Sequence, residues 1–219
     1  MSDPIQSPSN PRIKNILKLQ SGSRERREQN LFVIEGYREI SRALLSGIEI
    51  KELYICQELD RKGKGNELNH EHPEITVFEV GIQAFSRMAY REGSDGLIAL
   101  AVPRNLSLDK LKLSSEPLLL ILESVEKPGN LGAIMRTADA ARLDAVIVCD
   151  PLTDIYNPNA IRSGVGCIFS RQVVSCTGSE AYVWLRKHKI KIFAATLTES
   201  AQIYHKMDFR GPLAIVMGT

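Results

Sequence analysis

Apolar runs alternate with polar breaks along most of the chain, and the spacing within them sets the predicted elements. Leu118–Leu122 and Ala145–Cys149 are unbroken apolar runs, the pattern of strands buried on both faces, as in a parallel sheet covered by helices. Between them lies a polar break, Glu123–Asn130, which holds Pro128 and Gly129. Leu131, Ile134, Met135, Ala138 and Leu143 then recur at helical spacing. The prediction for this stretch is strand, turn, helix, strand. Further on, a helix is expected over Asn157–Ile168, weakened by Gly164 and Gly166. A short strand at Val173-Val174, a helix over Glu180–His188, a strand over Ile190–Thr196 and a last strand over Leu213–Met217 complete this half.

The first half reads as shorter elements of both kinds. A helix is expected from Pro11 to about Gln20, where Ile13, Ile16, Leu17 and Leu19 form an apolar stripe. Strands follow at Leu31–Ile34, Leu53–Cys56, Ile75–Val80 and Leu97–Val102, with helices from Glu35 to Leu45 and over Gln83–Tyr90. Residues 57–72 are polar and read as a loop with some helix. The first ten residues, rich in Ser, Pro and Asn, are expected to be mobile. The result is an α/β sandwich over residues 1–104, a polar linker over 105–115 and a parallel, helix-covered sheet over 116–219.

Composition adds little until its distribution is considered. With 219 residues, 43% hydrophobic, the chain can build a substantial core, and a net charge of +2 favours no partner class. Between Arg12 and Arg27, however, Arg12, Lys14, Lys18, Arg24, Arg26 and Arg27 stand against one acid, Glu25. That run, which spans the first helix and, at Arg24–Arg27, the polar connection after it, points to a polyanionic partner. The bland alternative is a solvated helix face. Four widely spaced cysteines without CxxC indicate neither a disulfide framework nor a zinc site. With no secretory leader and no apolar run of about 18 residues, the expected place is a reducing cytoplasm, with no membrane partner.

In a parallel α/β sheet, ligands collect at the carboxyl ends of the strands. The candidates there are Glu123–Arg136, Asp150–Asn157, Thr196–Ser200 and Gly218-Thr219. No GxGxxG follows a strand and no GxxxxGK[ST] occurs, so dinucleotide and P-loop readings lose their support. His70 and His72 sit in a polar stretch and are read as solvated, with no metal expected. Two residues of the strand–turn–helix unit each have a bland alternative: Arg136 as a surface charge paired with Asp139, and Asn130 as the helix N-cap.

GNLGAIMRTADA at Gly129–Ala140 resembles the first signature of the SpoU (TrmH-type) branch of the SPOUT RNA methyltransferases. IVMGT at Ile215–Thr219 resembles the start of that family's second signature. FVIEG at Phe32–Gly36 and GLIALA at Gly96–Ala101 are similar to its accessory L30e-like substrate-binding domain. The resemblance implies transfer of a methyl group from S-adenosylmethionine to a ribose 2′-hydroxyl in ribosomal or transfer RNA. Arg136 and Asn130 would be the catalytic or substrate-contacting pair, and Thr196, Leu197, Met217 and Gly218 the cofactor loops. It also implies a trefoil-knot catalytic domain and a homodimer in which Arg136 faces the partner subunit's cofactor. The second signature is cut off at Thr219 and a third is missing. The expectation is therefore a truncated catalytic domain whose cofactor binding and activity would belong to the full-length protein. Gly164 stands where the family often has Ser, which bears on contacts around Arg162. The rival readings are a non-catalytic RNA-binding protein with a decayed second half, and a base-methylating SPOUT enzyme.

Overall fold

Two sheets, each built from its own half of the sequence, organise the chain. The computed structural model describes residues 3–218; Met1, Ser2 and Thr219, and with them the ends of the N-terminal stretch and of the IVMGT run, lie outside the described residues. The N-terminal sheet has four strands: β1 (Phe32–Glu35), β2 (Ile50–Ile55), β3 (Thr76–Glu79) and β4 (Leu97–Ala101). Their order is β1-β4-β2-β3, with β4 antiparallel to β1 and β2, and β2 parallel to β3.

Alternation along β1 sends Val33 to one face and Phe32 and Ile34 to the other. Helices α1 (Pro11–Ser21) and α5 (Ile82–Met88) cover Val33 with Ile13, Ile16, Leu19, Phe85 and Met88. Helices α3 (Tyr37–Leu45) and α4 (Lys64–Glu71) cover the opposite face with Ile40, Ala43 and Leu68. The stretch expected to be mobile is tied down where it is described. Ile5 donates its N–H to the Glu79 carbonyl (2.8 Å) and accepts from the Gly81 N–H (3.0 Å), so it extends the edge at β3.

The C-terminal sheet is parallel throughout, as the unbroken apolar runs predict. It comprises β5 (Leu118–Glu123), β6 (Ala145–Cys149), β7 (Gln172–Cys176), β8 (Lys191–Ala194) and β9 (Leu213–Met217), ordered β7-β6-β5-β9-β8. The last strand in sequence thus lies between the first and the penultimate. One face packs on α6 (Pro128–Ala140), α7 (Pro158–Ser163) and α8 (Cys167–Ser170) through Leu120, Leu122, Val146 and Val148. The other packs on α9 (Gly178–Lys187) through Leu119, Ile121, Ile147 and Ala214.

Three local readings change. The helix expected over Asn157–Ile168 is two short helices, broken where Val165 and Gly166 adopt positive φ (54° and 72°). Residues 23–29, expected as a polar connection, form helix α2 (Ser23–Gln29). The segment 103–115, expected as a linker, is fastened to the C-terminal half. The Lys112 N–H donates to Gln172 Oε1 (2.9 Å), the Ser114 N–H donates to Asp144 Oδ1 (2.7 Å), and Leu108, Leu111 and Leu113 pack beside α9.

A continuous apolar cluster joins the halves. Phe32 stacks on Tyr156 with ring centroids 4.4 Å apart and lies 5.9 Å from Phe169. Within the C-terminal half, α6 and α7 meet at Gly132, where an added Cβ would sit 2.0 Å from Ser163 Oγ and 2.5 Å from the Ala160 carbonyl oxygen and the Gly164 nitrogen. Two of those obstacles are backbone. Gly132→Ala is therefore expected to lower unfolding free energy by roughly 1–3 kcal/mol through overpacking, read as a lower denaturant midpoint; an unchanged midpoint would mean that the helices part freely.

Candidate active site

The loop that leaves β5 turns through Ser124, whose φ is 51°, and enters α6 at Pro128. Lys127 holds the N-cap position without a side-chain cap, so Asn130 is a first-turn residue and not the cap. Pro128 has no N–H, and the Asn130 N–H is taken by the Lys127 carbonyl (3.0 Å). The start of α6 therefore offers little of a helix N-terminal anion site. The Asn130 side chain is exposed and has no hydrogen-bond partner among the described residues.

Arg136 is exposed two turns further on, and no ion pair or hydrogen bond engages its guanidinium among the described residues. The expected alternative, pairing with Asp139, is not what the structure holds. Asp139 instead accepts from Arg171 Nε (2.9 Å) and Ser170 Oγ (3.0 Å), and Arg42 Nη1 stands 3.7 Å away. Burial works to raise the Asp139 carboxyl, but the hydrogen bonds from Arg171 and Ser170 outweigh it and hold the group below the usual carboxylate range. Asn130 and Arg136 are six positions apart on the helix, which places them about 120° apart around the axis and about 9 Å apart along it. They border one exposed stripe without converging on a point.

Strands β8 and β9 and the segment that joins them frame a cleft of about 810 Å³. Thr196 and Met217 line it together with Phe193, Ala195, Ile215 and Phe209, which makes an apolar slot with a polar rim. Its size and lining suit the adenosine of a nucleotide-like cofactor. Thr196 lies beyond β8, not within a strand reaching it. Leu197 and Gly218, assigned to the same loops, do not line the cleft: Leu197 projects fully into solvent. Gly218 instead abuts Glu123, whose Oε2 would be 2.9 Å from a Cβ placed there. No residue of α6 lines the cleft, so Arg136 and the cleft do not share a wall within one chain.

One side chain that sequence reasoning passed over also reaches this end of the sheet. Asn159 on α7 brings its Nδ2 within 3.9 Å of the Cβ position of Gly129, beside the first turn of α6. Asn157, whose side chain caps α7 through the Asn159 N–H (2.9 Å), fixes that helix start. The sequence signal was an Asn-Pro pair at a helix start, which marks a cap but says nothing of the helix it will lie against.

The basic run divides in three. Lys14, Lys18 and Arg27 are exposed and make no ion pair among the described residues. Arg12 and Arg24 are exposed but paired, Arg12 with Glu52 (2.7 Å) and Arg24 with Glu28 (2.6 Å). Arg26 departs from the expected RNA-facing role, being 4% exposed. Its Nε bonds Asp154 Oδ2 (2.6 Å), and its Nη1 donates to the carbonyls of Leu19 (2.5 Å) and Gln20 (3.2 Å). Helix α2 turns this residue inward while Arg24 and Arg27, three apart, share the outer side. Among the described residues no group of three or more His, Cys, Asp or Glu could hold a metal ion, and no helix is long and apolar enough to cross a membrane.

A parallel sheet with an apolar cleft along β8 and β9, fused to a sandwich that carries exposed basic helices, defines an α/β enzyme with an appended substrate-binding half. The sequence profile of the SpoU rRNA Methylase family matches residues 117–219, and that of the MRM3-like substrate binding domain matches residues 10–99. The chain belongs to the SpoU rRNA methylase family. A 23S rRNA (guanosine-2'-O-)-methyltransferase RlmB from Pasteurella multocida is 34% identical over 177 residues, 76% of this chain and 71% of that protein. The 23S rRNA (guanosine(2553)-2'-O)-methyltransferase RlmP of Bacillus subtilis is 28% identical over 98% of this chain and 81% of its own length. Among solved structures, an RNA 2'-O ribose methyltransferase (34% identity, TM-score 0.82) aligns over 99% of this chain and 81% of its own. An AdoMet-bound rRNA methyltransferase from Sinorhizobium meliloti (25% identity, TM-score 0.86) aligns over 99% of this chain and 80% of its own.

Proposed function

We propose that this protein methylates a ribose 2′-hydroxyl of ribosomal RNA, using S-adenosylmethionine. The observation that carries the reading is Arg136. It is an exposed arginine on the helix after the first strand of the parallel sheet, and its acidic neighbour Asp139 is engaged elsewhere. S-adenosylmethionine, when bound, supplies a methyl group on a positively charged sulfur, and the cleft at Thr196 and Met217 fits its adenosine. A ribose hydroxyl is a poor nucleophile that gains negative charge as its proton leaves. A fixed guanidinium beside it stabilises that charge, or grips the neighbouring phosphate through two parallel hydrogen bonds and so places the ribose. Arg136 is not assigned as the base, because arginine keeps its proton to a pKa above about 12. Asn130, in the first turn of α6, and Asn159, beside that turn on α7, are assigned to orienting the nucleotide.

The reading extends to a homodimer in which Arg136 serves the cleft of the partner subunit. Its support is that no α6 residue lines the cleft of its own chain. Lys14, Lys18 and Arg27 are assigned to RNA phosphates, with residues 1–104 as the RNA-gripping half and 116–219 as the catalytic half. Four free thiols agree with a reducing cytoplasm. The test is incubation of the full-length protein with methyl-labelled S-adenosylmethionine and unmodified 23S rRNA, followed by nucleoside analysis. Label on a 2′-O-methylnucleoside is the expected result. Label on a base would point to base methylation, and RNA binding without label to a non-catalytic binder; either overturns the reading.

A further inference from the structure

Asp139 follows Arg136 by three residues on α6, a spacing at which an acid and a base on a helix surface readily pair. In the structure they do not pair. The Asp139 carboxylate, on a side chain 24% exposed, turns to the opposite side and meets two other arginines. Arg171, just beyond α8, donates from Nε to Oδ1 at 2.9 Å, and its Nη1 reaches the Leu143 carbonyl (3.4 Å), which holds the guanidinium at the end of α6. Arg42 comes from α3 in the N-terminal half. Its Nη1 stands 3.7 Å from Asp139 Oδ2 and donates to Cys167 Sγ at 2.7 Å. Gly166 lets α3 lie this close: a Cβ there would be 3.4 Å from Arg42 Cβ and 3.3 Å from the Glu39 Cα.

We propose that Arg42 and Arg171 form a clamp that keeps Asp139 away from Arg136, and so keeps the Arg136 cation available to RNA. The proposal rests on the reading of Arg136 given above. One jaw of the clamp belongs to the catalytic half and the other to the RNA-gripping half, so the charge presented by α6 depends on how the halves are docked. Arg42 and Arg171 are positioning residues in this account: they act on the substrate only through Asp139. Ser170, which also donates to Asp139 (3.0 Å), holds the carboxylate in the same direction.

The test is a rescue. In Arg42→Gln/Arg171→Gln the freed carboxylate competes for Arg136, and an exposed helical pair of this kind is occupied in roughly half to two-thirds of molecules. The methylation kcat is expected to fall roughly two- to threefold with little change in KM for RNA. Adding Asp139→Asn should restore the wild-type kcat, because no carboxylate remains to neutralise Arg136. The Nε–H resonance of Arg136 in 15N-labelled protein should shift in the double variant and return in the triple one. Should the double variant not fold, Arg171→Gln with and without Asp139→Asn repeats the comparison with Arg42 in place. A double variant at full rate, or a triple variant as slow as the double, overturns the clamp. Arg136→Ala measured alongside separates the two claims. Full activity there removes the role of Arg136 itself, whereas loss there with no effect of releasing Asp139 removes only the clamp.

Discussion

Replacing Arg136 with alanine is expected to slow methyl transfer by about 10²–10³-fold, the range seen when one preorganised donor to a developing negative charge is removed. The side chain is exposed and unpaired among the described residues, so the substitution removes no contact that supports the fold. Alanine also favours helix more than arginine does, by a small margin. The denaturation midpoint should therefore stay within experimental scatter while kcat falls. If the guanidinium mainly grips phosphate, KM for RNA should rise with kcat changed little. If it mainly stabilises the alkoxide, kcat should fall at constant KM. Arg136→Lys separates the roles further, because lysine keeps the charge but loses the planar fork needed for two parallel bonds. Turnover of Arg136→Ala at the wild-type rate would reduce the residue to a surface charge.

Arg26→Ala is expected to have the largest effect on stability, about 3–5 kcal/mol, since it strands the Asp154 carboxylate and two buried carbonyl acceptors. The damage should not stay local. Asp154 Oδ1 accepts the Tyr156 N–H (2.9 Å) and the Asp154 carbonyl accepts the Asn157 N–H (3.0 Å). Asn157 in turn caps α7, which lies against α6 at Gly132. Arg26 is thus the first link of a chain of contacts running from the N-terminal half to the helix that carries Arg136. Neutralising Lys14, Lys18 and Arg27 should do the reverse: leave the unfolding curve in place and reduce the salt slope of RNA binding by up to about 0.9 per lost phosphate contact on duplex RNA. An Arg26→Ala protein with wild-type stability would return that residue to the surface cluster.

These two arginines mark how far the sequence could be read. Strands β5, β6 and β9 were predicted to within a residue of where they lie, because an unbroken aliphatic run buried on both faces leaves no other period to fit. The helix carrying Arg136 was also legible from its periodicity, but its start was not: Pro128 and Gly129 read as a break, whereas proline at N1 begins α6. The single helix expected over Asn157–Ile168 failed at Gly164–Gly166, where the chain uses positive φ to turn into α8 beneath α3. The cleft along β8 and β9 was half legible. Thr196 and Met217 line it, but which neighbours face inward depends on the turn after each strand, and Leu197 faces out.

By itself, the sequence determined the class of each half, the order of its elements, the parallel character of the second sheet and the family signature around Asn130 and Arg136. The first three follow from local spacing, which is what side-chain periodicity encodes, whereas the signature was carried by a motif resemblance. Only the tertiary structure decided which charges are free. Six basic residues of similar chemistry became an inward strut (Arg26), two paired surface cations (Arg12, Arg24) and three open ones (Lys14, Lys18, Arg27). Arg136 has no ion-pair partner among the described residues, while Asp139 meets Arg171 and Arg42, residues distant from it in sequence. A charge is neutralised by whichever opposite charge lies within a few ångströms, and that neighbour is chosen by the packing of elements distant in sequence.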